Sequence, residues 1–473
     1  MRRELVVVGL SAIVLGVGAA AEQAAKPAAV ATAPAERFWG QWRGPLGTGE
    51  APHAKPPVEW SETKNVRWKV EIPGVGKSSP IVWNDLVFIT TAIPLATPAT
   101  APATSGATPP PATPGAAAGP GGRRHPDVSD PDGPKSFVVI ALGREDGKER
   151  WRRVVREELP HEGTHRFGTF ASGSTLTDGE RLYAFFGSRG LYALDFTGKV
   201  LWEKQLGHMT TRNGFGEGST PTVHAGTVVV TWDHEGADFI VAFDAATGKE
   251  KWRRERDEPT TWATPLVVVH GGRAQVIVAG TNRFMAYDLA TGESIWQAGG
   301  LTVNQIPSPV HADGMVYAMG GYRGNMLRAI NLANAKGEVT GPPGLAWSYE
   351  RDTPYVPSPL LYRGGLYFLK SNSGILTYLD AKSGEMRYME RLDSVPNVYA
   401  SPVAADGRVY VVGREGTTAV LAAGPKLERL ATNVLADAID TSPALVGNDL
   451  FLRGNKYLYR ISAPAAGAAR ASR

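Results

Sequence analysis

VAFDAATGKEKW, residues 241–252, decides the fold. Its first residues are an apolar run that ends in Asp244, as a short strand does. Thr247-Gly248-Lys249 then reverses the chain, and a second strand carries Trp252 four residues beyond the glycine. LYALDFTGKVLW (191–202) repeats the unit's Thr-Gly-Lys turn and its tryptophan at the same spacing. The turn returns as Asp146-Gly147-Lys148, Thr291-Gly292-Glu293 and Ser383-Gly384-Glu385, with Trp151, Trp202, Trp296 and Tyr388 in the place of Trp252. Glycine supplies the backbone freedom of such a turn. A large flat side chain at a fixed distance after it can wedge between neighbouring units. So regular a spacing assigns these aromatics to a scaffold rather than to a cofactor.

Upstream of the turns, a Ser/Thr-Pro step opens each unit's first strand. The prolines are Pro80, Pro221, Pro265, Pro309, Pro359, Pro402 and Pro443, and Thr175 stands in the second unit's place. A period of about 44 residues with four short strands per unit marks a propeller blade. Eight units are present. The expected fold is therefore all-β: an eight-bladed β-propeller of four-stranded antiparallel blades over residues 38–462. The last unit, from Thr441 to Ser462, contains three strands. Asn65 to Val70 is expected to supply the fourth, with Trp68 as its wedge, closing the ring and removing the exposed edges.

Composition bounds the function. The net charge of +4 over 473 residues is evenly spread and gives no basic stripe for nucleic acid. A cysteine count of 0 excludes disulfides, thiolate metal sites, a cysteine nucleophile, covalent haem attachment and a lipidated cysteine. Met1-Arg2-Arg3-Glu4 followed by the apolar run Leu5 to Ala21 reads as a signal peptide over residues 1–21. The run is short of the ~20 residues a membrane span needs. Cleavage is favoured over retention as an anchor, and the mature chain is expected to be a periplasmic or secreted monomer without a span. Residues 22–37 read as a flexible Ala/Pro linker. Residues 92–134, rich in Ala-Thr-Pro and Gly-Pro, read as a disordered insertion in blade 1, and 463–473 as a disordered tail.

The repeats 191–202 and 241–252 resemble the pyrroloquinoline-quinone-like (PQQ-like) repeat superfamily, and the likeness extends over nearly the whole mature chain. One branch of that superfamily is the quinoprotein alcohol and glucose dehydrogenases, which hold the quinone and calcium at the propeller axis. Another is non-catalytic, typified by a lipoprotein of the outer-membrane assembly machinery. The repeat belongs to the scaffold and does not choose between them. The dehydrogenases usually place adjacent cysteines over the quinone, and the lipoprotein is anchored through one. This chain has neither.

In a propeller, the first-to-second and third-to-fourth strand turns share one face. Here they include minimal turns such as Asp178-Gly179, Asp313-Gly314 and Asp406-Gly407. The blade-to-blade connections and second-to-third turns share the other face, where polar and aromatic residues concentrate and could converge on a pocket. Arg212, Arg283, Arg323, Lys370, Arg414 and Arg453 are candidates to clamp an anion. Asn213, Glu217, Asn304, Gln305, Asp352 and Asn372 could offer oxygen ligands. Trp232, Trp262 and Tyr355 could stack on a ring, and His234 and Asn325 complete the candidate face.

GVGKSS (74–79) has Glu71 where a phosphate loop needs glycine and leads into a strand, so it is set aside. HEGTH (161–165) lacks the helix that zinc proteases require, since Pro160 precedes it and Gly163 interrupts it. His161 and His165 remain candidates for a loop metal site, with turn hydrogen bonding favoured. The expected function is a non-catalytic scaffold binding a protein, peptide or saccharide on the polar face, without a cofactor. The alternative is a PQQ- and calcium-dependent oxidoreductase.

Overall fold

Eight sheets of four consecutive strand positions follow one another around a ring. The computed structural model describes residues 34–95 and 125–464. The expected signal peptide, most of the linker and tail, and the centre of the insertion lie outside the described residues. Burial within a blade follows strand position. In blade 3, Thr227–Trp232 is buried throughout. The outer strand Glu250–Glu255 buries Trp252 alone. The fourth strand thus tolerates charge on both faces except where its aromatic enters the gap to the next blade.

That aromatic explains the repeat. Trp151 Nε1 donates to the Phe196 carbonyl at 2.8 Å, Trp202 to Ala245 at 3.1 Å and Trp252 to Leu289 at 2.9 Å. Each acceptor lies in the following blade, beside that blade's own turn. The turn glycine makes room: a Cβ on Gly292 would come within 2.5 Å of the Trp252 ring. Glycine in one blade and tryptophan in the preceding one are therefore halves of a single contact.

Closure occurs as expected. Val66–Glu71 pairs antiparallel with Tyr457–Ser462, and Trp68 Nε1 reaches the Arg144 carbonyl of blade 1 at 2.9 Å. A second closure runs around the axis. The Ser/Thr before the opening residue of every blade except blade 4, where Thr264 stands, accepts a backbone N–H from the corresponding residue of the preceding blade. The observed links are Ser79 to Ser174, Ser174 to Thr220, Thr264 to Ser308, Ser308 to Ser358, Ser358 to Ser401, Ser401 to Ser442 and Ser442 to Ser79. These hydroxyls satisfy amides that the adjoining prolines leave outside the strand ladders.

Three features depart from the expected organisation. The first is the insertion. Residues 92–94 finish the strand Leu86–Pro94, whose partner is Lys135–Gly143. Val128–Ser129 pairs with Thr164–His165. The expectation of disorder over 92–134 is corrected at both ends, because backbone pairing and the packing of the His125 ring on Phe215, 4.8 Å apart, give these residues partners. The second is a strap of residues 39–60 across the face of short turns. It bonds to blade 1 at Val82, blade 2 at Thr177, blade 6 at Leu361, blade 7 at Ala404 and blade 8 at Gly447. Contacts on opposite sides of the ring mean that it crosses the axis. The third is Gly337–Val339, which leaves blade 5 to add a parallel fifth strand to blade 4. This accounts for the 50-residue spacing from Pro309 to Pro359, the longest after that of blade 1. Among the described residues, no helix is long and apolar enough to cross a membrane.

Candidate functional site

The connections on the face opposite the strap surround a cavity of about 290 Å³. Ser79, Ser174, Thr220, Thr264, Ser401 and Ser442 line it, so it lies on the axis at the hydroxyl ring. Trp42 of the strap also lines it and forms its floor. Phe167, Phe215, Trp262, Tyr355 and Tyr399 add aromatic surface to this funnel. Trp262 is fixed by an indole bond to the Gly216 carbonyl at 2.7 Å. Tyr355 stacks on Tyr322 with centroids 4.6 Å apart, and burial raises its pKa above the usual phenol value.

Charge in the funnel is concentrated at one side. Asp440 is buried and accepts from both Lys77 Nζ and Arg414 Nε. Lys77 also donates to the Phe167 carbonyl at 2.8 Å. The Arg414 guanidinium lies 4.0 Å from the Phe167 ring centre and 4.1 Å from that of Tyr399, a cation held between two faces. On the far side Glu217 accepts from Ser188 N at 2.5 Å, Ser188 Oγ at 2.6 Å and Arg189 Nη1 at 3.0 Å.

The structure distributes the candidate residues unevenly. Glu217, Tyr355, His165 and Trp262 line the funnel, and Arg414 lies directly behind its aromatic wall. Arg283 pairs with Asp257, and Lys370 with Asp352, on the outer rim. Arg212 and exposed Asn213 open the short turn 212–214. Arg323 is exposed beside Tyr322. Asn325 and Asn372 accept backbone N–H groups of Thr353 and Val356. His234 bridges Thr210 and Ala237. Gln305 is buried and donates to the Pro307 and Met319 carbonyls. Asn304 is buried with its Oδ1 unpartnered. Trp232 is a core residue. Arg453 ties Ser78 to Thr90 from a buried position, a blade-to-blade brace in place of an anion clamp.

HEGTH forms no helix: Thr164–His165 is extended. His161, Glu162 and Glu217 do converge, their ligand atoms within 4.8 Å of one another. His161 Nε2 donates to the Met209 carbonyl at 2.7 Å, and Arg189 Nη2 meets its Nδ1 at 3.2 Å. Glu162 accepts from Thr211 N and Oγ1. The Arg189 guanidinium thus holds the place where a cation would compensate these carboxylates. His165 Nδ1 accepts from Phe167 N at 3.2 Å, and burial lowers its pKa.

Sequence reading missed Trp42, Lys77, Phe167 and Asp440. Lys77 lies in the GVGKSS stretch, which is no phosphate loop, and its partner Asp440 is 363 residues away.

Comparisons with known proteins agree with this architecture. Residues 135–299 and 236–465 match a family model described as outer membrane protein assembly factor BamB. No curated protein sequence matches the chain. Among solved structures, BamB from Moraxella catarrhalis is 15% identical, with a TM-score of 0.51, over 72% of this chain and 98% of its own. Quinohemoprotein alcohol dehydrogenase from Comamonas testosteroni is 11% identical, with a TM-score of 0.61, over 91% of this chain and 82% of its own. Quinohemoprotein alcohol dehydrogenase ADHIIG from Pseudomonas putida HK5 is 12% identical, with a TM-score of 0.52, over 91% and 77%. Identities this low speak for the fold alone. The family model covers more than half of the sequence and coincides with the repeated blades, and the chain belongs to the PQQ-like propeller family described as outer membrane protein assembly factor BamB.

Proposed function

We propose that this protein is a non-catalytic binding scaffold of the periplasm that takes a saccharide, or a peptide segment of a partner protein, in the axial funnel. The observation that carries the reading is the funnel's combination of aromatic faces and hydroxyls with charges that are already paired. Trp42, Phe167, Phe215, Trp262, Tyr355 and Tyr399 offer stacking surfaces, and the ring of Ser/Thr side chains offers donors. A catalytic site needs a group free to take or give a proton or electron pair. Asp440 is committed to two cations and Glu217 to Arg189 and Ser188. The location outside the cytoplasm is supported by the basic-then-apolar amino terminus and by the assembly-factor description of the family.

The likeness to quinohemoprotein dehydrogenases raises a quinone–calcium site as the other reading. The donor set does not fit it. Calcium takes six to eight oxygen ligands, carboxylates prominent among them. The funnel's two carboxylates are held by Lys77, Arg414 and Arg189, so an added divalent cation would meet resident positive charge.

Tryptophan emission gives a direct test, because Trp42 and Trp262 both face the funnel. Titration with oligosaccharides and with extended peptides is expected to give saturable quenching by one class, weakened at least tenfold in Trp262→Ala. Reconstitution with quinone and calcium is expected to leave no bound chromophore after dialysis and no dye-linked oxidation of alcohols. Stoichiometric retention of the quinone with turnover would overturn the scaffold reading.

A further inference from the structure

The circle of hydroxyl-to-amide links around the axis has seven bonds for eight blades. The missing one lies between blades 3 and 4. Thr220 Oγ1 accepts the Ser174 N–H at 3.1 Å, and Thr264 donates its own N–H to Ser308 Oγ at 2.8 Å, but Thr220 N–H and Thr264 Oγ1 do not meet. Among the described residues neither group has another hydrogen-bond partner. Other bonds join the two blades here. Ser219 Oγ donates to the Ala263 carbonyl at 3.3 Å, and the Trp262 indole to the Gly216 carbonyl at 2.7 Å. Thr220 is 5% exposed, and a buried backbone N–H left without a partner is rare in a folded chain.

Thr220, Thr264 and Trp262 all line the funnel. Thr264 is half-buried, and its hydroxyl oxygen is open to solvent. Around the circle every other Ser or Thr hydroxyl already accepts an amide, so that of Thr264 is the one left uncommitted. The Trp262 backbone N–H donates to the Gln305 carbonyl at 2.8 Å, which with the indole bond holds the ring in place. Across the funnel Lys77 and Arg414 are committed to Asp440. What remains at the junction of blades 3 and 4 is neutral: an amide donor, a free hydroxyl and a flat apolar ring. A peptide backbone divides donor and acceptor between N–H and C=O, whereas a sugar hydroxyl donates and accepts at one oxygen. A pyranose also carries a C–H face that matches an indole.

We propose that the funnel takes a neutral saccharide and that the junction of blades 3 and 4 is its anchor. A pyranose ring lies on Trp262, and one of its hydroxyls donates to Thr264 Oγ1 and accepts from the Thr220 N–H. The ligand thereby supplies the link that the circle lacks. This rests on the scaffold reading of the funnel and deepens it, because it makes Thr264 the residue that selects sugar over peptide.

The test uses the intact protein and two readouts. The first needs no ligand. Ser308→Ala removes a hydroxyl that accepts an amide, and its Tm is expected to fall. Thr264→Val keeps the shape of the side chain and deletes an unpaired hydroxyl, and it is expected to melt with the wild type. A fall in Thr264→Val equal to that in Ser308→Ala means that the eighth link is closed in solution, and it overturns the proposal. The second readout is tryptophan quenching by cellotriose, maltotriose and tri-N-acetylchitotriose, with pentaalanine as the peptide probe. At least one of the sugars is expected to quench saturably, with affinity about tenfold weaker in Thr264→Val and restored in Thr264→Ser, which keeps the hydroxyl. Sugar binding of equal strength in Thr264→Val overturns the anchor and leaves the scaffold reading standing. Quenching by pentaalanine alone overturns the saccharide and likewise spares the scaffold. Silence of all four probes overturns both.

Discussion

Replacing Trp252 with alanine tests the contact that joins one blade to the next. The indole is 6% exposed, lies against Gly292 of blade 4 and donates to the Leu289 carbonyl at 2.9 Å. Truncating a buried tryptophan costs roughly 3–5 kcal/mol. The Leu289 carbonyl, left without its partner, puts the expected value in the upper half of that range. Unfolding entropy is about 2.1 cal/mol/K per residue, so a propeller of roughly 400 residues loses about 1 °C of Tm per 0.8 kcal/mol. The expected fall is therefore about 5–6 °C. Trp252→Phe keeps most of the apolar contact and loses the hydrogen bond, for about 1–2 kcal/mol. Arg212→Ala, in a connection on the opposite side of the sheets, is expected to stay within about 0.5 kcal/mol of wild type. Urea unfolding followed by circular dichroism, with thermal melts beside it, measures all three. If Trp252→Ala unfolds with the wild type, the indole is not a blade-to-blade tie. If Arg212→Ala unfolds with Trp252→Ala, the connections are braces and the separation of scaffold from binding face collapses.

Removing residues 1–36 is expected to leave Tm nearly unchanged, whereas removing 1–71 strips both the strap and the strand Val66–Glu71 and is expected to cause aggregation; equal tolerance in size-exclusion chromatography would refute closure by this strand. Glu258 is 3% exposed, and burial, partly opposed by Arg256, raises its pKa to about 7. A native carboxyl that holds its proton more tightly than the unfolded chain makes stability fall as pH rises from about 4.5 to 7. Urea unfolding at pH 5 and pH 7 should show this fall, of order 1–3 kcal/mol, in wild type and a flatter profile in Glu258→Gln; parallel profiles would refute it. Asp440→Asn leaves Lys77 and Arg414 without their common carboxylate and is expected to cost roughly 1–3 kcal/mol. A double-mutant cycle with Lys77→Met should give a coupling above about 0.5 kcal/mol, and a value near zero would show that the pair contributes nothing.

The blades were legible because each is written locally: alternation, turn glycine and tryptophan all fall within a dozen residues, as in 241–252. Closure by Asn65 to Val70 was legible by subtraction, since the last unit lacked a strand. The strap was not. Residues 39–60 touch five blades through scattered contacts of one or two bonds each instead of a ladder, and no periodicity marks such a path. Glu217, Trp262 and Tyr355 were found because polar or aromatic residues in tight connections are unusual. Lys77 and Asp440 escaped because their pairing spans the whole ring, and a charge is informative only beside its partner. His234 and Gln305 mislead as binding residues for the same reason inverted: their polarity is used on nearby backbone groups, which the sequence does not display.

The circle of hydroxyl-to-amide bonds has a kinetic consequence. Five of the seven links join residues 41–50 positions apart, Ser79 to Ser174 spans 95 across the insertion, and Ser442 to Ser79 joins residues 363 positions apart. The strand Val66–Glu71 must likewise wait for Tyr457–Ser462, nearly 400 residues further along the chain. Contacts between such distant residues form slowly, because the intervening chain must be ordered before they stabilise anything. Early blades can therefore collapse while the ring is still an open arc with a bare sheet edge at each end. The growing chain is most exposed to aggregation and proteolysis in that state, until Ser442 and the strand Tyr457–Ser462 turn the arc into a ring.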